Sequence, residues 1–371
     1  MREAREWFPH YRRAARLATL YVARRRSVRR PLTTDRRSTV RVPYAELHAT
    51  MRDALSRLGM DADRAAQCAT LFADASRDGF ASHGLNRFGR FVTMIHNGMV
   101  DVQARPVRVA AAGALERWDG RRGAGNLNAH ACMTRAIELA SEHGVGTVAL
   151  GNTNHWMRGG AYGWQAADAG MIGICWSNTL PNVPAWGTSV PLIGNNPLVV
   201  AIPRAAGHVV LDMAMSQFSY GALAVHRMRG RELPVPGGYD EQGELTRDPA
   251  AIERTQRLLP VGYWKGSGLA IVLDMVAAVL AGGRATHDFS LVPEEESGQS
   301  QLFVALDPVS LGDADESDEI AERIVAALHE GAAANGESAR YPGERTLETR
   351  RLSLEAGVDV DDDVWREVRA L

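Results

Sequence analysis

The pattern of apolar and polar positions changes along this chain. From residue 43 to about residue 98, apolar residues recur every three to four positions, the spacing of one face of an amphipathic helix. Three helices are predicted, in "YAELHATMRDALSRLG", "DADRAAQCATLFADASRDG" and "SHGLNRFGRFVTMIHNG". Asp61 and Ser82 stand where an N-cap side chain would accept hydrogen bonds from the first N–H groups of the second and third helices.

Residues 105–310 have a different pattern, in which short apolar runs alternate with helical segments, as is typical of α/β proteins. Helical spacing returns at 316–331 and 345–356, before the end "DDDVWREVRAL". We therefore predict a helical layer built from both chain ends and packed on a central α/β domain. The β-like runs are 145–150, 171–178, 196–203, 208–214 and 301–306, and the predicted helices between them are 128–143, 160–169, 217–229 and 268–283.

Composition narrows the class of protein. The 371 residues are 45% hydrophobic and 23% charged, as in an ordinary globular protein. The three cysteines lie far apart, which indicates a reducing compartment and predicts no disulfide and no metal site. The sequence shows no uninterrupted apolar stretch of about 18 residues, so we predict a cytoplasmic protein without a membrane partner.

Residues 1–39 form a basic leader. It carries 12 arginines against three acidic residues, a net charge of +9, and the whole chain has a net charge of −2. The remainder is therefore strongly acidic at −11, which argues against nucleic acid as its partner. The leader could be a nucleic-acid arm or a targeting peptide. We interpret it as a disordered segment or a mis-assigned translation start, with Val40 as a candidate initiator.

Lys265 is the one lysine among 42 basic residues. It lies in "GYWKGSGLA" (262–270), among three glycines and directly before an apolar helical run. Glycines at a helix entrance let an anion approach the backbone N–H groups, and the helix dipole favours negative charge there. The order of residues is wrong for a P-loop, and no G-x-G-x-x-G with Rossmann spacing is present. We therefore predict an anion site, such as one for a cofactor phosphate.

Three further segments carry candidate chemistry. On a helix His83 and Arg87 would share a face, pairing a proton donor with a group that binds carboxylates, although a surface pair would look the same. Polar residues follow the strand at 145–150 in "GNTNHWMRGG", where a plain turn is the alternative. Asp212 ends an apolar strand, and burial there would require a partner.

The strings "SHGLNRF", "IGNNPLVVAIP", "LDMAMSQFSYG" and "LLPVGYWKGSGLAIVLDM" together resemble the malate/L-lactate dehydrogenase family, from about residue 40 to residue 371. The resemblance implies an NAD(P)-dependent oxidoreductase with a central mixed-sheet domain that is not a standard Rossmann fold. It implies a domain division into the leader (1–39), a helical part (40–104), an α/β cofactor-binding domain (105–310) and a helical C-terminal part (311–371). A homodimer with a site shared between subunits is also implied.

The resemblance also implies roles for individual residues. His83 would be the proton donor, and Asp212 would orient a catalytic histidine or hold the cofactor. Substrate-binding residues would be Ser82, Arg87, Asn154 and His155. Cofactor-binding residues would be His208, Val209, Val210, Leu211, Asp212, Met213, Ala214, Trp264, Lys265, Gly343, Glu344 and Arg345.

The implied reaction is delivery of hydride from NADH, or NADPH, to C2 of a 2-oxo sugar acid, with 2,3-diketo-L-gulonate giving 3-keto-L-gulonate. Malate, lactate, ureidoglycolate and cyclic-imine 2-carboxylates are alternative substrates within the family. A non-catalytic sugar-acid-binding protein is an alternative of another class, and a nucleic-acid-binding protein acting through the leader is a third.

Overall fold

A computed structural model describes residues 38–290, 292, 295–331 and 339–371. The predictions for the leader lie outside these residues, except that Thr39 already begins a strand. The described helices are α1 (Tyr44–Arg57), α2 (Ala62–Arg77), α3 (Leu85–His96), α4 (Gly125–His143), α5 (Gly160–Asp168), α6 (Tyr220–Met228), α7 (Pro249–Thr255), α8 (Trp264–Ala281), α9 (Ala314–Glu330), α10 (Glu344–Ala356) and α11 (Asp362–Arg369).

The described strands are β1 (Thr39–Val42), β2 (Val107–Ala112), β3 (Leu115–Asp119), β4 (Val145–Asn154), β5 (Ile172–Ser177), β6 (Val183–Pro184), β7 (Pro191–Ile193), β8 (Leu198–Ile202), β9 (Val209–Met213), β10 (Gly238–Tyr239), β11 (Leu245–Thr246), β12 (Ser297–Leu306) and β13 (Val358–Asp361). Seven of them form a central sheet in the order β2-β3-β4-β12-β5-β8-β9. Strands β3 and β4 are parallel, and the other neighbouring pairs are antiparallel. The sheet is therefore mixed, which confirms the predicted fold class.

Helices cover both faces of the central sheet. One face packs against α4 and α5 around a core that includes Trp156, Tyr162 and Phe303. On the other face α8 packs against β4, β5 and β12. Strand β4 has a nearly continuous buried run, as expected of a strand covered on both faces.

The two ends of the chain build the helical layer together. Strand β1 pairs antiparallel with β13, and Val42 and Val360 are buried in one core with residues of α1, α2, α3 and α11. Phe72 contacts Phe88 and Phe91 in this core, with ring centroids 5.2 Å apart in both pairs. Burial of large aromatic side chains contributes much of the stability of such a layer.

Two predictions of local structure were wrong. Ser82 does not cap α3, because the helix begins at Leu85, whose N–H donates to Ser76 Oγ at 2.8 Å. His83 lies in a separate 3-10 turn, Ala81–His83, and so does not share a helix with Arg87. Asp61 does occupy the predicted N-cap position of α2, but its side chain makes no capping bond. The strands that were not predicted are β1, β2, β3, β6, β7, β10, β11 and β13.

Candidate active site

His83 is presented by the short segment between α2 and α3. The 3-10 turn that ends at His83 is followed by Gly84, whose position against the α2 backbone leaves no room for a Cβ. Ser82 Oγ lies 3.0 Å from His83 Nδ1. Ser82, predicted to contact substrate, is thus placed to fix the orientation of the His83 ring.

His155 lies directly after β4 and stacks on His83, with ring centroids 6.0 Å apart. Its Nδ1 accepts a hydrogen bond from the Met157 backbone N–H at 3.0 Å. An N–H group can only donate, so the proton of the neutral ring is on Nε2. Burial and the charges of Arg87, His83 and Arg90 hold the pKa of His155 well below its usual range.

Asp212 comes from β9, at the edge of the sheet. Its Oδ2 accepts a hydrogen bond of 2.8 Å from the backbone N–H of Gly160, at the start of α5. A side chain at position 160 would begin only 2.7 Å from that oxygen, so glycine is needed there. The predicted requirement for a partner is met, because the Asp212 carboxylate lies at a helix N-terminus, where negative charge is favoured.

The pKa of His83 depends on its burial and on the charged side chains around it. Burial lowers it, the Asp212 carboxylate raises it, and the Arg87 and Arg158 guanidinium groups lower it, with a net effect below the usual value. The structure therefore brings five of the predicted residues together, namely Ser82, His83, Arg87, His155 and Asp212. They come from four separate segments of the chain, although His83 and Arg87 are close through a turn and not through helical spacing.

Two residues of the site were missed. Arg90 Nη2 and Arg87 Nη2 lie 3.5 Å and 3.8 Å from the same oxygen of Glu296. Glu296 is only 3% exposed, and its other oxygen accepts a hydrogen bond from Gln299 Nε2 at 2.8 Å. Helical spacing could have identified Arg90, since it lies three residues after Arg87 on the same helix. The acidic run that contains Glu296 has no spacing that would identify this residue as part of the site.

The Asn154 side chain holds neighbouring backbone segments, and its predicted contact with substrate stays a prediction. Its side chain is buried, and its Nδ2 lies within 3.1 Å of the backbone carbonyl oxygens of Met99, Arg122 and Gly123. An amide nitrogen has two hydrogens to donate, so these three carbonyls fully occupy it. Asn154 therefore fixes the chain segments beside the end of β4, directly before His155 in the sequence.

Most of the predicted cofactor residues lie on the edge strand β9 or beside it. At its beginning the N–H of Val210 donates to the carbonyl of Pro342 at 2.8 Å. Gly343 has a φ of +100°, and a Cβ there would lie 3.1 Å from Val210 N, so glycine permits this close approach. His208 Nε2 lies 3.0 Å from Asp168 Oδ1, and Glu344 Oε1 lies 3.1 Å from His329 Nε2.

Met215, just beyond the other end of β9, pairs with the segment that enters α8. The Met215 carbonyl accepts from the N–H of Val261, just before the turn that contains Lys265. Lys265 is exposed in the first turn of α8. The N–H groups of Lys265, Gly266 and Ser267 already bond to the carbonyls of Gly262, Val261 and Tyr263. The predicted use of free N–H groups is therefore wrong at these positions, and the Lys265 ammonium and the helix dipole are left to attract an anion.

A cavity of about 460 Å³ lies at the C-terminal end of α8. It is lined by Met99, Arg122, Asn152, Gly282, Gly283, Arg284, Glu295, Ser297 and Gly298. None of the residues predicted from the family resemblance lines it. Among the described residues, no group of three or more histidines, cysteines and acids could hold a metal ion, and all three cysteines are buried and unpaired.

A buried histidine, a carboxylate and arginines thus come together on a mixed-sheet α/β fold, an arrangement that can bind a carboxylate and donate a proton. Comparison with known proteins agrees. Residues 42–369 match the family model described as malate/L-lactate dehydrogenase. The chain is 46% identical over 333 residues to a 2,3-diketo-L-gulonate reductase from Citrobacter koseri, covering 90% of this chain and 100% of the relative.

Solved structures give the same result. Sulfolactate dehydrogenase from Methanocaldococcus jannaschii has a TM-score of 0.83 and 27% identity, covering 89% of this chain and 95% of that one. Delta1-piperideine-2-carboxylate reductase from Pseudomonas syringae has a TM-score of 0.78 and 28% identity, with coverage of 89% and 99%. The chain belongs to the malate/L-lactate dehydrogenase family.

Proposed function

We propose that this protein is an NADH-dependent reductase of a 2-oxo sugar acid, converting 2,3-diketo-L-gulonate to 3-keto-L-gulonate. The observation that carries the proposal is the convergence of His83, Arg87 and Asp212 in one site of this fold. The identity of 46% over the full length of a 2,3-diketo-L-gulonate reductase supports the choice of substrate.

The Arg87 guanidinium would hold the substrate carboxylate, because a planar fork of N–H donors matches two carboxylate oxygens. Arg90 lies beside it and would add a second cation. Fixing the carboxylate fixes the neighbouring carbonyl, and such alignment contributes much of an enzyme's rate. The Nε2–H of neutral His155 would donate a hydrogen bond to a substrate oxygen.

His83 would donate a proton to the oxygen at C2 as negative charge develops there. This role requires the imidazolium form at the start of reduction, and a catalytic group works best with a pKa near the working pH. The Asp212 carboxylate supports that form, since it raises the pKa of His83 against the lowering by burial. The product is a 2-hydroxy acid, and His83 is left neutral.

A bound nicotinamide dinucleotide would supply the hydride. The residues around β9 fit such a group, since the glycine turn at Gly343 lies against the first half of the strand and the Lys265 cation lies beyond its end. Lys265 would bind a phosphate as a point charge. Val209 to Ala214 would contact the rest of the cofactor along the half-exposed edge strand.

We further propose a cytoplasmic homodimer in which α8 contacts a second copy. Its exposed apolar residues Leu269, Val272, Met275 and Val279 lie three or four positions apart, so they form one face. Among the described residues, α8 is also the one helix long and apolar enough to cross a membrane. The packing of its other face on the sheet favours a protein partner over lipid.

A cyclic-imine 2-carboxylate is a second candidate substrate. The structural similarity to a piperideine-2-carboxylate reductase favours it, because the same carboxylate anchor and proton donor would serve an imine. The two candidates differ in the atom that accepts the proton, which is oxygen in the sugar acid and nitrogen in the imine.

The test is the loss of NADH absorbance with 2,3-diketo-L-gulonate, pyruvate, oxaloacetate and piperideine-2-carboxylate, for the wild type and for His83→Ala. We expect turnover of the diketo sugar acid above the others and a fall of about 10²–10⁴-fold in the variant. Preferred turnover of the imine would move the assignment to the second candidate. Full activity of His83→Ala would remove the proton-donor role from His83.

A further inference from the structure

Arg158 joins two carboxylates that come from distant parts of the chain. It is 5% exposed, and its Nη1 lies 2.6 Å from Asp78 Oδ2, while its Nε lies 3.9 Å from Asp212 Oδ2. Its guanidinium also lies over the ring of Phe80, 3.9 Å from the ring centroid. Asp78 and Phe80 belong to the segment that leads to His83, so Arg158 links that segment to β9.

The Nε of Arg158 is buried and has no hydrogen-bond acceptor among the described residues. A buried N–H donor without an acceptor is unfavourable. The carboxylate oxygen of Asp212 is beyond hydrogen-bond distance at 3.9 Å. A side-chain movement of about 1 Å would complete a direct hydrogen bond. That bond would fix the carboxylate that raises the pKa of His83.

The other end of Arg158 is rigidly held. The buried carboxylate of Asp78 accepts hydrogen bonds from Arg77 at 2.8 Å and from two nitrogens of Arg350 at 2.8 Å and 2.9 Å. Burial alone would raise the pKa of Asp78, but the Arg350 hydrogen bonds, the Arg158 charge and the Arg77 hydrogen bond lower it overall. Asp78 is therefore a fixed anion against which Arg158 is positioned.

We propose that Arg158 is a positioning residue that holds Asp212 beside His83, and that Asp78 holds Arg158 in turn. The proposal rests on the proposed function, in which His83 donates the proton. The charged and titratable groups that face His83 are Asp212 on β9, Arg87 on α3, and His155 and Arg158 in the segment between β4 and α5. Arg158 lies within ion-pair distance of both Asp78 and Asp212.

The first test is the titration of His83 followed by NMR of histidine-labelled protein, in the wild type and in Arg158→Gln, with His83→Ala to assign the signal. If Arg158 holds the Asp212 carboxylate beside His83, its removal lets that carboxylate move away and weakens the influence that raises the pKa of His83. Loss of the Arg158 charge alone would act in the opposite direction and raise that pKa. We expect the displacement of Asp212 to outweigh the lost charge and the midpoint to fall by about half a unit. The pH profile of reduction should shift downward by the same amount.

Arg135→Gln is the matched control. Arg135 binds the buried carboxylate of Glu116, with its Nη2 3.0 Å from Oε1, and has no described contact with Asp78, Asp212 or His83. This variant removes an arginine from another ion pair with a buried carboxylate. Both variants should lose stability, whereas the His83 midpoint should fall only in Arg158→Gln. An unchanged or raised midpoint in folded Arg158→Gln overturns the proposal.

Arg158→Lys covers the case in which Arg158→Gln does not fold. Lysine keeps the cation but loses the Nε–H and the planar fork. We expect a His83 midpoint near that of the wild type, a KM within about twofold, and a kcat lower by about 10²-fold, as a small misplacement of catalytic groups produces. A wild-type kcat in this variant would exclude the positioning role.

These outcomes are separable from failure of the proposed function. The NMR titration needs neither substrate nor cofactor, so it answers the question about Arg158 whichever acid the enzyme reduces. If the wild type reduces none of the candidate acids while the His83 midpoint still falls in Arg158→Gln, the substrate assignment fails and the role of Arg158 stands.

Discussion

The imidazole rings of His83 and His155 stack with their centroids 6.0 Å apart and their planes within 25° of each other. Two stacked imidazolium ions would repel each other, and burial disfavours the charged form of both. The pKa of His155 is lowered further than that of His83. At His155 the charges of Arg87, His83 and Arg90 add to the effect of burial, whereas at His83 the Asp212 carboxylate opposes it. As the pH falls, His83 is therefore the first of the two rings to take up a second proton and become an imidazolium ion.

The first prediction concerns the pH dependence of the rate. Reduction requires protonated His83, whose pKa lies below its usual value of about 6.5. The rate of reduction should therefore fall as pH rises through a midpoint below about 6.5, and oxidation of the hydroxy acid should rise through the same range. Rates with both substrates limiting, measured from pH 5 to 8, check this. A midpoint well above 6.5 would contradict the environment described for His83.

The second prediction concerns stability. A histidine whose pKa is lowered in the folded protein is neutral there but takes up a proton when the chain unfolds at acidic pH. The free energy of unfolding should therefore fall as pH drops below about 6.5, and His155 should contribute because its pKa is lowered well below that value. Denaturant unfolding at several pH values should show a weaker pH dependence in His155→Asn than in the wild type.

The control for this measurement is His287→Asn. The His287 side chain is 79% exposed, so its replacement should leave the pH dependence of unfolding unchanged. Equal slopes for the wild type and His155→Asn below pH 6.5 would show that His155 titrates normally in the folded protein.

Much of the sheet could be predicted because its strands are apolar runs. Strand β4 is buried along most of its length, and β5, β8, β9 and β12 also contain apolar runs. Strand β2 was missed although five of its six residues are apolar, because three of them are alanines, which are depleted in strands, and all six are exposed at the sheet edge. Strands β1 and β13 each have only four residues, and they pair across almost the whole chain.

The site was harder to predict than the fold. His83 and Arg87 were found through a local string, but the contacts that define their chemistry are between distant segments. Arg158 is buried between Asp78 and Asp212, which precede and follow it by 80 and 54 positions respectively. Local spacing contains no signal for such a pairing. Ser82 was misassigned because it is a good N-cap residue, whereas the bond to the helix comes from Ser76, nine positions before Leu85.

The third prediction concerns Lys265. Its side chain is exposed at the beginning of α8, and the three N–H groups around it are already bonded within the turn. The charge of Lys265 should therefore carry most of the attraction for a cofactor phosphate at this position. Lys265→Ala should raise the KM for NADH about tenfold, which corresponds to about 1.4 kcal/mol, with kcat little changed.

Lys265→Arg should keep most of the affinity, since it restores the charge. Arg229→Ala removes an exposed cation at the end of α6 and should have no effect on the KM for NADH. An unchanged KM in Lys265→Ala would place the cofactor phosphate elsewhere.

The fourth prediction concerns the apolar face of α8. Val272 and Met275 are 53% and 61% exposed at its centre, and large apolar patches on a protein surface mark interaction sites. If this face contacts a second copy, two-fold symmetry would bring each substitution into the interface twice. Val272→Asp combined with Met275→Asp should therefore convert a dimer into a monomer, as measured by light scattering after gel filtration. Leu311→Asp is the control, because Leu311 is 96% exposed but lies outside α8, and its replacement should leave the dimer intact. A dimer that survives the double substitution would place the contact on another surface, and a monomeric wild type would overturn the proposed assembly.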